Sequence, residues 1–354
     1  MNTPAIVIDL DRLERNLARM QGICDRHGVE LRPHIKTHKM VEVARRQLSG
    51  GAAGLTCAKL SEAEAMLPAE PKSLFIAHSL VDAAKASRLR AVAERVDELI
   101  VACTSEKHLV ALEELLVAAD LRLPVMMAVD SGLHREGTRG EEAARRLAGR
   151  IARSPRMELR GIYTHEGHAY AQKPEALDRF VTGMHERLIR LRDSIDPDLR
   201  LWPGCTVTAP RFAALPGVQA VRPGAYVFGD LSQAVSTRVI DRDDVALHVH
   251  AQVVDRPSAD LALIDAGSKV FSSDKTADGL TALAADGRDL HVLKCNEEHG
   301  YLTGPDAAGL EIGQIVAFIP AHVCPVVNLA DRVHVVRNGQ VIDRWTVDAR
   351  GCVT

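Results

Sequence analysis

The residues best equipped for chemistry stand at the ends of short apolar runs. In "LRPHIKTHKM", Lys36 follows such a run and is flanked by His34 and His38. A primary amine in that position is either solvated or reserved as a nucleophile toward a carbonyl. "THEGHAY" supplies His165, His168 and Tyr170, groups able to transfer a proton or orient a substrate. "GCTVT", Gly204 to Thr208, offers small residues, backbone N–H groups and two hydroxyls of the kind that cradle a phosphate. "RPGAYVFGD" adds Gly224 and Tyr226. An amine and a phosphate cradle at one place suggest pyridoxal phosphate, whose aldehyde needs an amine partner.

A second constellation is "PAHVCPVV", with His322 and Cys324 two residues apart. On an extended segment that spacing puts an imidazole and a thiolate on one face, where both can grip one ion. A thiolate selects zinc over magnesium or calcium. Two protein ligands leave positions for water or substrate, the arrangement of a catalytic site. Taken singly, each feature also has a plainer reading: a solvated lysine, an ordinary turn, a core histidine and cysteine.

These groups need a scaffold that gathers them. From about residue 11 to 230, short apolar runs alternate with segments of helical period, which predicts parallel strands joined by crossover helices. The strand candidates are "VELRPHI", "AAGLTCA", "SLFIAH", "ELIVACT", "PVMMAVD", "ELRGIYTH", "RLWPGCT" and "VQAVRPGAYVF". Eight such units predict an α/β fold of the TIM-type (β/α)8 barrel, whose active-site face lies at the C-terminal strand ends. Lys36, "DSGLHREG", "THEGHAY" and "PGCTVTAP" all follow strands of this set. Past residue 232 come short strands, the last two joined by Asn338-Gly339, a hairpin signal. The expected domains are therefore a barrel over 11–231 and an all-β domain over 232–354. The early run "PAIVIDL", within residues 1–10, lies outside the eight-unit count and is expected to join the β domain.

Composition narrows the partners. A net charge of -3 over 354 residues gives no electrostatic reason for nucleic acid or an anionic membrane. A small-molecule substrate is expected instead. The start lacks the layout of a secretion signal and no window resembles a membrane span. Seven scattered cysteines without a CxxC pair suggest thiols in a reducing compartment, so a cytoplasmic location is expected.

Seven stretches in order, "TPAIVIDLDRLERNL", "RPHIKTHK", "VDSGLHREG", "RPGAYVFGD", "DAGSKVFSSD", "EEHG" and "HVCPVVNLAD", resemble the fold-type III, alanine-racemase-like enzymes. The likeness is to their D-serine dehydratase and D-threonine aldolase branch. It implies that Lys36 bonds the cofactor aldehyde and removes the α-proton. It also implies that Arg135 lies near the cofactor ring, and that Gly204, Cys205, Thr206, Gly224 and Tyr226 match phosphate-contacting positions. Cys205 stands where relatives commonly use another small residue. Tyr163 sits at the same mouth, placed to pack against the cofactor. By the same resemblance the HxC pair favours a dehydratase acting on a β-hydroxy-D-amino acid, with zinc on His322 and Cys324. An aldolase, typically HxD and using manganese or magnesium, is the alternative; a racemase or a non-catalytic cofactor carrier stands further off. A homodimer is implied as well. Neither sequence nor resemblance gives a role to His34, Asp265, Lys269 or His299.

Overall fold

The computed structural model describes all 354 residues and divides into two compact units. One comprises Arg19–Lys36, Val41–Gly224 and Cys352–Thr354. The other comprises Met1–Ala18, Thr37–Met40 and Ala225–Gly351.

The strands, in chain order, begin with β1 (Ala5–Asp9) and β2 (Glu30–Leu31). They continue with β3 (Leu55–Cys57), β4 (Ser73–Ile76), β5 (Glu98–Cys103), β6 (Leu123–Ala128), β7 (Met157–Tyr163), β8 (Arg200–Trp202) and β9 (Ala220–Val221). Strands β3 to β8 form a six-stranded parallel sheet in sequence order, and β2 pairs in parallel with β9. Two further links flank that pair: a parallel bridge between His34 and Thr56, and Gln219 N donating to Leu201 O at 3.2 Å. All eight expected runs are strands. They read as unbroken apolar stretches because both faces are covered, as in β5, where five of six residues are buried. Between them the helices bury one stripe; Glu141–Arg153 buries Ala144, Leu147, Ala148 and Ile151, a spacing of three and four. Phe75, Tyr163 and Trp202 pack together in the core of this unit, ring edges against faces.

In the other unit β10 (Leu247–Ser258), β11 (Leu261–Ile264), β14 (Gly300–Thr303), β13 (His291–Cys295), β12 (Ala282–Ala284) and β15 (Ile315–Pro320) pair in that order, and β15 returns to β10. This closes an antiparallel barrel. Strand β1 extends it beside β10, followed by β16 (Arg332–Arg337) and β17 (Gln340–Thr346). Asn338 and Gly339 both take positive φ, 50° and 74°, as a tight hairpin turn between two strands requires.

Two local expectations change. The first expected strand is shorter than "VELRPHI", and Lys36 lies beyond it in a 3-10 turn, Ile35–Thr37. Hydrogen bonding continues as far as His34, whose N–H donates to Pro223 O at 2.9 Å, before the chain turns. His322 and Cys324 do not share a strand: β15 stops at Pro320, His322 is the extended N-cap of a helix, and Cys324 lies in its first turn, Val323–Leu329. Pro325 is tolerated there because a first-turn residue has no intrahelical partner for its N–H.

Candidate active site

Lys36 is half-buried at the edge of its unit, where the turn after β2 carries it past the sheet. Its ammonium is close enough to act on His165. Burial first, and then the positive charge of Lys36, bring the His165 pKa down to about 3. His165 is therefore a neutral imidazole at physiological pH. Its Nδ1–H donates to Gly204 O at 2.5 Å, which leaves Nε2 as an acceptor. Arg135, Tyr163, Thr164 and His165 line one small cavity. Arg135 is more than half exposed and sits 3.8 Å from Glu136. The Tyr163 hydroxyl and Thr164 Oγ1 are buried without partners, and burial pushes the Tyr163 pKa up. Orphaned buried hydroxyls beside an amine are what a polar ligand would satisfy.

The expected phosphate cradle is a compact, pinned segment. Glu166, wholly buried, accepts from Gly204 N with both carboxylate oxygens at 3.2 Å and from Thr208 Oγ1 at 3.1 Å. Gly224 N donates to Thr206 Oγ1 at 3.2 Å, tying the runs after β8 and β9 together. Gly204 must lack a side chain, because a Cβ there would lie 2.4 Å from Arg222 Nη2. Cys205 is buried and its thiol is pushed up to about 12, by burial and then by Glu166, so it is no nucleophile. Tyr226 is buried in the 3-10 turn Ala225–Val227, in the other unit.

Two residues that sequence reasoning passed over dominate this region. Arg222 is buried, donates to Thr164 O at 2.5 Å and Trp202 O at 3.4 Å, and stands 5.0 Å from the Tyr163 ring centroid. Burial pushes the Glu166 pKa up to about 7, opposed first by the Arg222 guanidinium. Both lie directly after strand runs in quoted stretches. Opposite charges after two parallel strands were the available signal.

The proposed metal pair lies within the β-barrel unit. Cys324 Sγ is 3.2 Å from Thr37 Oγ1, and His322 Nδ1 is 2.7 Å from Asp274 Oδ2. Against burial, Cys324, Asp230 and Asp274 push the His322 pKa up to about 10. Surroundings that favour positive charge this strongly suit a cation. No cluster of three or more His, Cys, Asp or Glu side chains forms, so the protein offers two donors rather than a closed cage.

The remaining candidates have mainly structural partners. His168 packs edge-on to Phe180 with 5.0 Å between centroids and faces Gly132, and it does not line the cavity. His34 belongs to the bridge with Thr56. "DAGSK" and "EEHG" form one knot: Ser268 N donates to Asn296 O, and a Cβ on Gly267 would meet Asn296 O and Glu297 O at 2.4 Å. There Lys269 pairs with Glu298 at 2.6 Å, His299 O accepts from Asn296 N, and Asp265 receives Gln252 N.

With this geometry in view, comparisons with known proteins identify the frame. Residues 8–232 match the family described as alanine racemase, N-terminal domain, and residues 246–336 match the putative serine dehydratase domain. A D-threonine aldolase from Arthrobacter sp is 32% identical over 362 residues, covering 99% of this chain and 93% of its own. A D-threo-3-hydroxyaspartate dehydratase from Delftia sp. (strain HT23) is 33% identical over 351 residues, covering 92% of this chain and 91% of its own. A cysteine-to-alanine variant of D-threo-3-hydroxyaspartate dehydratase, solved in a metal-free form, superposes with a TM-score of 0.87 at 28% identity, covering 98% of this chain and 97% of that one. The chain belongs to the alanine racemase N-terminal domain family and carries a putative serine dehydratase domain behind it.

Proposed function

We propose that the protein is a pyridoxal phosphate- and zinc-dependent lyase that dehydrates β-hydroxy-D-amino acids to 2-oxo acids and ammonia. One observation carries the reading. Thr37, the residue after Lys36 in the chain, has its hydroxyl 3.2 Å from Cys324 Sγ. Pyridoxal phosphate, when bound, draws electrons from the substrate's Cα, and a divalent metal, when bound, polarises the β-hydroxyl.

The chain's own groups then divide the work. Lys36 would hold the cofactor through its aldehyde and, once the substrate's amine takes its place there, its freed Nζ would carry the Cα proton. The neutral His165 cannot add a second positive charge beside that amine; it holds Gly204 O through Nδ1 and offers Nε2 as an acceptor. Arg135, with Tyr163 and Thr164, lines the small cavity beside His165 and would flank the ring. Cys205, Thr206 and Gly224 would hold the phosphate, Tyr226 is a further proposed contact, and His322 and Cys324 would hold zinc. His168, placed against Phe180 and Gly132, shapes the loop after β6 more than it reaches the proton.

The hydrogen bonds flanking β2 and β9 support reading the eight parallel strands as one closed (β/α)8 ring. A homodimer in the cytoplasm completes the proposal, and a solution mass near twice that of the chain is its check.

Retro-aldol cleavage to glycine and an aldehyde is the second reading, favoured by the aldolase name of the Arthrobacter relative. For either reaction, chelator-stripped protein loaded with pyridoxal phosphate should leave D-threonine untouched until zinc or manganese is restored. Full turnover without metal overturns the role of His322 and Cys324.

A further inference from the structure

Glu166 is the most conspicuous buried charge that the proposed mechanism leaves unused. It follows His165 in the chain, and the two neighbours grip opposite sides of one residue. His165 Nδ1–H donates to Gly204 O while the Glu166 carboxylate receives Gly204 N–H. The same carboxylate also takes the Thr208 hydroxyl at 3.1 Å, so a single side chain spans both ends of the Gly204–Thr208 segment. An ionised carboxylate inside a protein is stable only with enough donors and a nearby counter-charge. The Arg222 guanidinium supplies that charge, itself anchored on Thr164 O and Trp202 O.

We propose that Glu166 is a positioning residue, a staple that fixes the Gly204–Thr208 segment in the shape that receives the cofactor's phosphate. The inference rests on the reading of this site as one for pyridoxal phosphate. It carries a consequence for Gly204, whose N–H is committed to Glu166. Gly204 therefore shapes the cradle beneath Arg222 and is not a phosphate donor. Glutamine keeps an oxygen that can take Gly204 N–H and the Thr208 hydroxyl together, as Oε2 does, but it removes the charge that faces Arg222.

The test uses the full-length chain freed of cofactor and titrated with pyridoxal phosphate and, separately, with pyridoxal, which lacks the phosphate. Binding is followed by the absorbance of the lysine-bound form, and folding by near-ultraviolet circular dichroism and thermal midpoint. Glu166→Gln should stay folded, bind pyridoxal as the wild type does, and lose roughly tenfold or more in affinity for pyridoxal phosphate, the scale of a lost charge-assisted hydrogen bond. Wild-type affinity for both ligands, or an equal loss for both, overturns the inference. Should Glu166→Gln fail to fold, Thr208→Val decides: a phosphate-specific loss upholds the staple and unchanged binding overturns it. A wild type that binds neither ligand overturns the cofactor reading itself, and the inference with it.

Discussion

His322 Nδ1 lies 2.7 Å from Asp274 Oδ2, which leaves Nε2 of the same ring as the nitrogen able to face a metal. A carboxylate behind a ligating histidine fixes its ring orientation and raises its basicity. Asp274→Asn should therefore weaken zinc binding roughly 10- to 100-fold, the usual effect of losing such a partner. Competition against a chromogenic chelator measures it; wild-type affinity in the variant would show that Asp274 does not position His322.

Lys36→Ala should fold normally, since the side chain is only half-buried, and should lose the visible absorbance of the lysine-bound cofactor. An unchanged band in the variant would place the covalent bond on another amine.

Gly204→Ala should cost about 1–3 kcal/mol of stability, the typical penalty for overpacking. The added Cβ would lie 2.4 Å from Arg222 Nη2, and Arg222 is held by two carbonyls and cannot easily withdraw. Chemical denaturation is the check, and a neutral substitution would mean that the segment moves freely under Arg222.

Acid should destabilise the β-barrel unit through His248. Burial first, then Arg12 and His250, bring its pKa from the usual 6.5 down to about 3. Above pH 6.5 the ring is neutral both folded and unfolded, and it contributes no pH dependence. Below that, only the unfolded chain takes up the proton, so stability falls with pH down to about 3, by at most about 1.4 kcal/mol per pH unit. Thermal midpoints from pH 7 to 4 should fall less steeply in His248→Gln than in the wild type. Parallel curves would contradict the buried neutral ring.

Much of the scaffold is legible in the sequence because the two periodicities are strong. Each parallel strand is an apolar run between helical stripes, and Asn338-Gly339 marks its hairpin by the positive φ both residues need. The candidate site drew notice where reactive side chains follow such runs, as with Lys36 and His165. Glu166 and Arg222 were hidden because a charge at a strand end ordinarily faces water, and only the opposite charge nearby makes burial tolerable. The helix Val323–Leu329 was hidden for another reason. "VCPVV" has β-branched residues and a proline, which read as extended, yet its first turn accommodates Pro325. The spacing of two singled out the imidazole–thiolate pair as a candidate, although a strand does not supply its geometry.

The most direct test of the central claim is product analysis of the purified, pyridoxal phosphate-loaded and zinc-supplemented protein incubated with D-threonine. Dehydration predicts 2-oxobutyrate and ammonia in equal amounts. Glycine and acetaldehyde in their place would contradict the dehydratase reading and assign the site to carbon–carbon cleavage.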